Sequence, residues 1–328
     1  MKTTDFQPIA ASALHGIWCR LLAAGTFMLL VSAASAQTIK LVVPIPAGGA
    51  GDILARVLAE HIGRAKGPAM VVENRPGGST VIGTEAVARA TPDGSTLLIA
   101  GTGFVINPHL RKANYDPLTS FDPICNLVSL PTVIVVKASS PYATLADLLD
   151  IARTKPGQLT LSSIGPASTA HIAFEMLKRA ARADMTFVPF PGTAPALNAL
   201  MGDHVTAFFG NYAEVAEHLK AGTLRALASA SPTRIESLPE LPTLTELGYR
   251  IALGEVWYGL LTPAKTPKET VSRLAGWFTA AMQARDVKAR LVSNGIYPAV
   301  MCGAEYGTYL RNQSDEYGRA ILDANINP

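Results

Sequence analysis

Ile39-Lys40-Leu41-Val42-Val43 runs directly into Pro44-Ile45-Pro46-Ala47-Gly48-Gly49-Ala50-Gly51-Asp52, after which Ile53, Leu54, Val57, Leu58 and Ile62 recur at helical spacing. A short apolar strand, a glycine-rich loop and an amphipathic helix make up the repeating unit of an α/β protein. Glycines let backbone N–H groups approach a ligand closely, and a helix N-terminus adds roughly half a positive charge. The loop is therefore either an anion site built from backbone amides, with Asp52 as the helix N-cap, or a tight turn with an ordinary cap. Taken alone, it does not choose between them.

Working outward, the same unit recurs. Met70–Val72 and Thr96–Ala100 read as strands, with a helix over Ile82–Ala90 between them, which predicts a parallel sheet with right-handed crossovers. A second set begins near Pro131, with strands at Thr132–Val136, Leu159–Ser162, Met185–Val188, Val205–Phe209 and Leu224–Ala228. Helices over Thr144–Arg153, Ala170–Ala181 and Pro195–Met201 separate them. Ser231–Gly248 is an interrupted connection, Glu255–Leu261 a strand leading out of it, and the remainder is read as helical: Lys268–Ala284, Val287–Ser293 and Ala304–Leu322. These last helices have no strands of their own to cover, so the chain is expected to return to its first half. That predicts one α/β domain from residues 38–130 plus 255–328 and a second from 131–254. Two crossings form a hinge, and the cleft between the sheets is the natural ligand site.

Two further loops resemble the first. Ser162-Ser163-Ile164-Gly165-Pro166-Ala167-Ser168-Thr169 precedes the helix carrying His171 and Glu175, and Pro189-Phe190-Pro191-Gly192-Thr193-Ala194-Pro195 opens another helix. Three such N-termini facing one cleft suit a carboxylate, whose hydrogen bonds to N–H groups are charge-assisted. Enzyme and nucleotide signatures fail by comparison. Neither Gly49-Ala50-Gly51 nor Gly101-Thr102-Gly103 reaches the third glycine of a dinucleotide fingerprint, and no phosphate-loop lysine motif occurs. Ser168 lacks a nucleophile elbow. His171 and Glu175, one turn apart, lack the partners of a metal site, so His171 reads as a buried, hydrogen-bonded histidine. Catalytic residues, metals and cofactors are not expected. Trp257 and Tyr258 are read first as packing residues and second as lining of the cleft.

Residues 1–36 have the layout of a secretory signal peptide. Lys2 and Arg20 precede the apolar run Leu21–Val31, and cleavage is expected near Ala36. The remaining ~290 residues are enough for two domains. A formal charge of +3 without any Lys/Arg block after the leader argues against nucleic acid and anionic lipid as main partners. Cys19 falls in the leader. Cys125 and Cys302 remain, and an oxidising compartment permits a disulfide between them or leaves two buried thiols.

Val43-Pro44 through Asp52, Val72-Glu73-Asn74-Arg75-Pro76-Gly77-Gly78, Pro92-Asp93-Gly94, Asn107-Pro108, Tyr115-Asp116-Pro117, Gly192 with Ala194-Pro195, Leu224-Arg225-Ala226-Leu227-Ala228, Leu241-Pro242-Thr243 and Trp257-Tyr258-Gly259-Leu260 occur in an order that carries a resemblance. The chain resembles the Bug family, the extracytoplasmic solute receptors of tripartite tricarboxylate transporters, over essentially all of its length after the leader. The resemblance implies a type II periplasmic-binding-protein fold that closes on a small organic carboxylate. It also implies delivery to the transporter's membrane components, and a monomer in the periplasm. It assigns ligand contacts to Ala47, Gly48, Gly49 and Asp52 and to Gly192, Thr193, Ala194 and Pro195, joined here by Thr102, Ser163, Gly165, Ser168, Thr169 and His171. Gly51, Pro191 and Gly210 stand where the family often has polar side chains, which points to a ligand whose distal half is less polar than an amino acid. Pro166 stands where the family usually has a small, flexible residue. A sensor for a membrane signalling protein is the second reading, and an enzyme on the same scaffold the third.

Overall fold

The computed structural model describes residues 38–165, 167–251 and 253–326. The leader and Pro166 lie outside the described residues.

Two sheets organise the chain. The first has the order β11-β4-β10-β3-β1-β2, from β1 (Ile39–Val43), β2 (Met70–Asn74), β3 (Thr96–Gly101), β4 (Phe121–Leu130), β10 (Val256–Pro263) and β11 (Tyr297–Cys302). The second has the order β7-β6-β8-β5-β9, from β5 (Thr132–Lys137), β6 (Leu159–Ile164), β7 (Met185–Phe190), β8 (Ala207–Asn211) and β9 (Leu224–Ser229). β1 pairs in parallel with β2 and β3, as the strand–helix alternation requires. β10 returns from the second sheet and therefore enters antiparallel, between β3 and β4.

Ten helices cover the sheets among the described residues: α1 (Ala50–Arg64), α2 (Val81–Ala88), α3 (Gly103–Leu110), α4 (Leu145–Thr154), α5 (Thr169–Ala181), α6 (Thr193–Met201), α7 (Tyr212–Lys220), α8 (Lys268–Gln283), α9 (Arg285–Val292) and α10 (Gly303–Ala324). Strand alternation explains why both faces of β1 are apolar. Leu41 and Val43 pack with Leu54 and Leu58 of α1 and Phe278 of α8, while Val42 points the other way toward α2, α3 and α10. In the second sheet Ile134 and Val136 face α4 and α5, and Val133 and Val135 face α6 and α7.

Four elements were not foreseen. β4 carries Pro123, Asn126 and Ser129, which hide its strand pattern. Helix α3 contains Pro108, which cannot donate to the Phe104 carbonyl; the buried Tyr115 hydroxyl donates to that oxygen instead, at 3.0 Å. α7 was passed over although Asn211 and Glu214 form a capping box at its start. β11 corrects the expectation that the terminal helices lack a strand. It is an edge strand, where Pro298 is tolerated.

The cysteines also resolve. Cys125 of β4 and Cys302 of β11 face each other in register and form a disulfide spanning 177 residues of sequence. It ties the edge strand, and with it the start of α10, to the neighbouring strand β4. Replacing both cysteines by alanine is expected to preserve the fold and remove about 2–4 kcal/mol of stability, because the reduced chain regains loop entropy in the unfolded state. Guanidinium unfolding of the two proteins measures the difference.

Candidate ligand site between the sheets

A cavity of about 290 Å³ opens between the two sheets. Its wall takes Pro44 and Ile45 from the first loop, Ser79 and Thr80 from the turn before α2, and Thr102 and Gly103 from the start of α3. The second sheet contributes Ser163, Ala167, Ser168 and Thr169 before and at the start of α5, and Gly210 and Asn211 at the end of β8. Asn107, Arg111, Val256 and Tyr258 add an amide, a cation, an aliphatic side chain and an aromatic ring. Among the described residues no aspartate or glutamate lines this cavity, and Arg111 is the only charged residue that does.

The N-termini of α2, α3 and α5 meet here because parallel strands end on this side of each sheet and their helices begin there. Each helix leaves its first amides without an intrahelical acceptor. At α5 the Ser168 hydroxyl accepts from the His171 N–H at 3.2 Å, so this cap satisfies one of them. The terminus of α7 is closed by its own residues, since the Asn211 N–H donates to Glu214. Three residues of the wall other than glycine have positive φ: Ser79 at 53°, Thr80 at 83° and Ala167 at 57°. Such strain persists only where the surroundings enforce it, and it clusters at binding sites. Here Asn107 enforces it, donating from its buried amide to the Ser79 carbonyl at 2.6 Å and the Thr80 hydroxyl at 3.1 Å. Arg111 donates to the Ser79 hydroxyl at 2.8 Å, and its Nε is buried without a partner.

Tyr258 forms one wall, and two glycines make room for it. A Cβ at Gly51 or at Gly101 would lie 2.9 or 2.8 Å from the ring. Gly210 has its own reason, because a Cβ there would collide with the Phe208 ring at 2.3 Å. Burial, and then the nearby Glu214 carboxylate, push the Tyr258 hydroxyl up to about 12, so it stays protonated.

Among the residues singled out from sequence, Thr102, Ser163, Ser168 and Thr169 line the cavity. Thr102 is buried and its hydroxyl accepts from the Trp257 N–H; the Ser163 hydroxyl donates to the Phe209 carbonyl. Ala47, Gly48, Gly49 and Gly192 to Pro195 lie outside the lining, as do Gly165 and His171.

Asp52 departs from the expected cap. The N-cap of α1 is Gly49, and Asp52 sits in the first turn, buried. Its carboxylate accepts from the Gly48 N–H at 2.9 Å, from the Asn74 amide at 2.9 Å and from the Arg56 guanidinium at 3.0–3.1 Å. Burial raises its pKa, but the bonds from Arg56, Gly48 and Asn74 outweigh that and hold the carboxyl below the ordinary range. With every oxygen engaged, Asp52 positions the glycine loop against the end of β2. Asn107, Arg111 and the Ser79–Thr80 turn were missed as site residues. Their signal was the run from Asn107 to Arg111 directly after a strand–helix turn.

His171 is held by its neighbours. Its Nδ1 accepts from the Ala167 N–H at 3.0 Å and its ring stacks on Phe187 with centroids 3.8 Å apart. Glu175 lies 3.9 Å from Nε2. Burial, with the Lys178 charge as a lesser cause, brings its pKa down to about 4 from 6.5. Among the described residues no group of three or more histidine, cysteine, aspartate or glutamate side chains could hold a metal ion.

Comparison with known proteins gives consistent matches. The sequence pattern described as "Tripartite tricarboxylate transporter family receptor" matches residues 54–326. Protein BugT of Bordetella pertussis is 31% identical over 271 residues, which are 81% of this chain and 82% of BugT. The solved structure of a TctC solute binding protein from Polaromonas is 28% identical, with a TM-score of 0.78 over 89% of this chain and 100% of the other. R. palustris Rpa4515, solved with adipate, is 29% identical, with a TM-score of 0.75 over 89% and 98%.

The histidine supplies a test of the local electrostatics. Its native pKa lies below the unfolded value, so neutral His171 favours the fold above pH 6.5, and that contribution is lost as pH falls from there toward 4. In a histidine-selective NMR titration, the His171 ring signals are expected to stay fixed from pH 8 to about 5.5.

Proposed function

The chain belongs to the receptor family of the tripartite tricarboxylate transporters, and from that premise we propose that it captures a small organic carboxylate between its two lobes and presents it to the membrane components of such a transporter. The family and the fold are those of solute-binding proteins. The observation that carries the reading is electrostatic: three helix N-termini and Arg111 surround a cavity with no acidic side chain among the described residues of its wall. An anion entering it meets donors and a countercharge. Ile45, Ile106, Ile164 and Val256 supply an apolar remainder, which fits an aliphatic or aromatic acid better than an amino acid.

In this reading residues 38–130 with 255–328 form one lobe and 131–254 the other. The hinge lies where the chain crosses near Pro131 and again near Glu255. Closure brings the loops at Ala47–Gly49 and Gly192–Pro195 toward the ligand, with Asp52 bracing the first of them. Residues 1–36 are the export signal, cut near Ala36, and the mature receptor works in the periplasm as a monomer. Among the described residues no helix is long and apolar enough to cross a membrane.

Calorimetry on the purified protein tests the reading with adipate, an aromatic acid, glutamate and adipamide. An aliphatic or aromatic carboxylate is expected to bind while the uncharged diamide does not. Arg111→Gln is expected to weaken binding by roughly 10–100-fold, the value of a hydrogen bond to a charged group. Binding of adipamide as tight as that of adipate, or no carboxylate bound at all, would sink the proposal.

A further inference from the structure

A second cavity, of about 390 Å³, lies on the opposite side of β10 from the cleft. Strand alternation separates the two: Val256 and Tyr258 face the cleft, while Glu255 and Trp257 face the second cavity. Its other walls come from β4 (Asn126 and Ser129), from the residues after β9 (Ser231 onward), from β11 (Tyr297) and from α10 (Tyr309).

Its chemistry is opposite to that of the cleft. Asn126 is 2% exposed; its Nδ2 donates to the Ala299 carbonyl at 2.9 Å, while its Oδ1 is buried with no partner. Trp257 is 1% exposed and its indole N–H is likewise buried without an acceptor. Buried polar atoms of this kind are rare and mark a place for a missing ligand or water. Glu255 adds a carboxyl to the same wall. Burial pushes it above the ordinary glutamate value, partly offset by the nearby Ser129 and Ser231 side chains. Glu236 also lines the cavity, and the one cation among its described lining residues, Arg234, is committed elsewhere, to both oxygens of Glu246 at 3.0 Å and to the Pro239 carbonyl. The cavity thus offers a carboxyl without a countercharge, an unused amide oxygen, an unused N–H donor and the rings of Tyr297 and Tyr309.

We propose that this cavity is a second ligand site, for a small organic ammonium compound that also carries a hydroxyl. The ammonium group lies against Glu255 and Asn126 Oδ1, the hydroxyl oxygen accepts from Trp257 Nε1, and the carbon chain packs on the tyrosine rings. A cation placed there restores to Glu255 the charge stabilisation that burial withholds. An anion would face the Glu255 carboxylate, so the two cavities sort ligands by sign. This site does not depend on the carboxylate reading of the cleft.

The test is calorimetry and thermal shift on the purified protein with ethanolamine, using propanol and acetate as matched neutral and anionic probes. Saturable binding of ethanolamine alone is expected, weakened at least 10-fold by Glu255→Gln. Asn126→Leu, which removes the acceptor, is expected to weaken it as well. Circular dichroism and guanidinium unfolding midpoints of the same variants separate loss of this site from loss of the fold. The proposal is overturned if ethanolamine gives no saturable signal, which would leave water as the occupant. It is equally overturned if propanol binds as well, or if folded Glu255→Gln and Asn126→Leu bind ethanolamine unchanged.

Discussion

A helix cannot satisfy its own first amides, and a parallel sheet delivers the starts of its helices to one side. Much of what distinguishes this molecule follows from that constraint. β3 hands the chain to α3 and β6 hands it to α5, while the turn after β2 opens α2, and these three starts meet at one cavity. The protein answers with strained backbone at Ser79, Thr80 and Ala167 and with polar anchors such as Asn107, and it keeps acidic side chains off the wall. Where a carboxylate does come close, as with Glu214, it caps its own helix, and burial raises its pKa. Asp52 shows the same economy: its charge is spent on Arg56, Asn74 and the Gly48 amide, leaving the glycine loop held but not neutralised.

The crossing strand β10 divides the interior into two environments. On its cleft side Tyr258 needs Gly51 and Gly101 to make room for its ring. On the other side Trp257 packs edge-on against Tyr306 and Tyr309. The crossings are also joined to each other. The Thr132 hydroxyl donates to the Gly254 carbonyl, and the Ala230 N–H donates to the Thr132 carbonyl at 3.0 Å. A residue placed at the start of β10 therefore sees both lobes. Motion between the lobes would be felt in both cavities.

The sequence carried much of this, with clear limits. Short apolar runs located most strands and helical periodicity the long helices, because strands buried on both faces are apolar throughout and helices packed on a sheet are apolar on one side. The missed elements are those whose stability comes from distant partners: β4 with its buried Asn126 donating to Ala299, α3 with its proline compensated by Tyr115, and β11 held by Cys302 to Cys125. The same applies to the site. The loop at Ser163–Thr169 was legible because glycine, hydroxyls and a helix start stand together. Arg111 was not, because its position depends on how α3 ends and on the turn at Ser79. Gly51 and Gly210, read as lost polar groups, turn out to make space for Tyr258 and Phe208, which only packing reveals.

The central claim is that backbone amides at helix starts hold the ligand's charge. Heteronuclear NMR of the labelled protein, with adipate at saturation and then with adipamide at the same concentration, tests it most directly. The account predicts that the amide signals of Thr80, Gly103 and Thr169 move most with adipate and stay in place with adipamide. Adipate binding that leaves those three signals unmoved would contradict it.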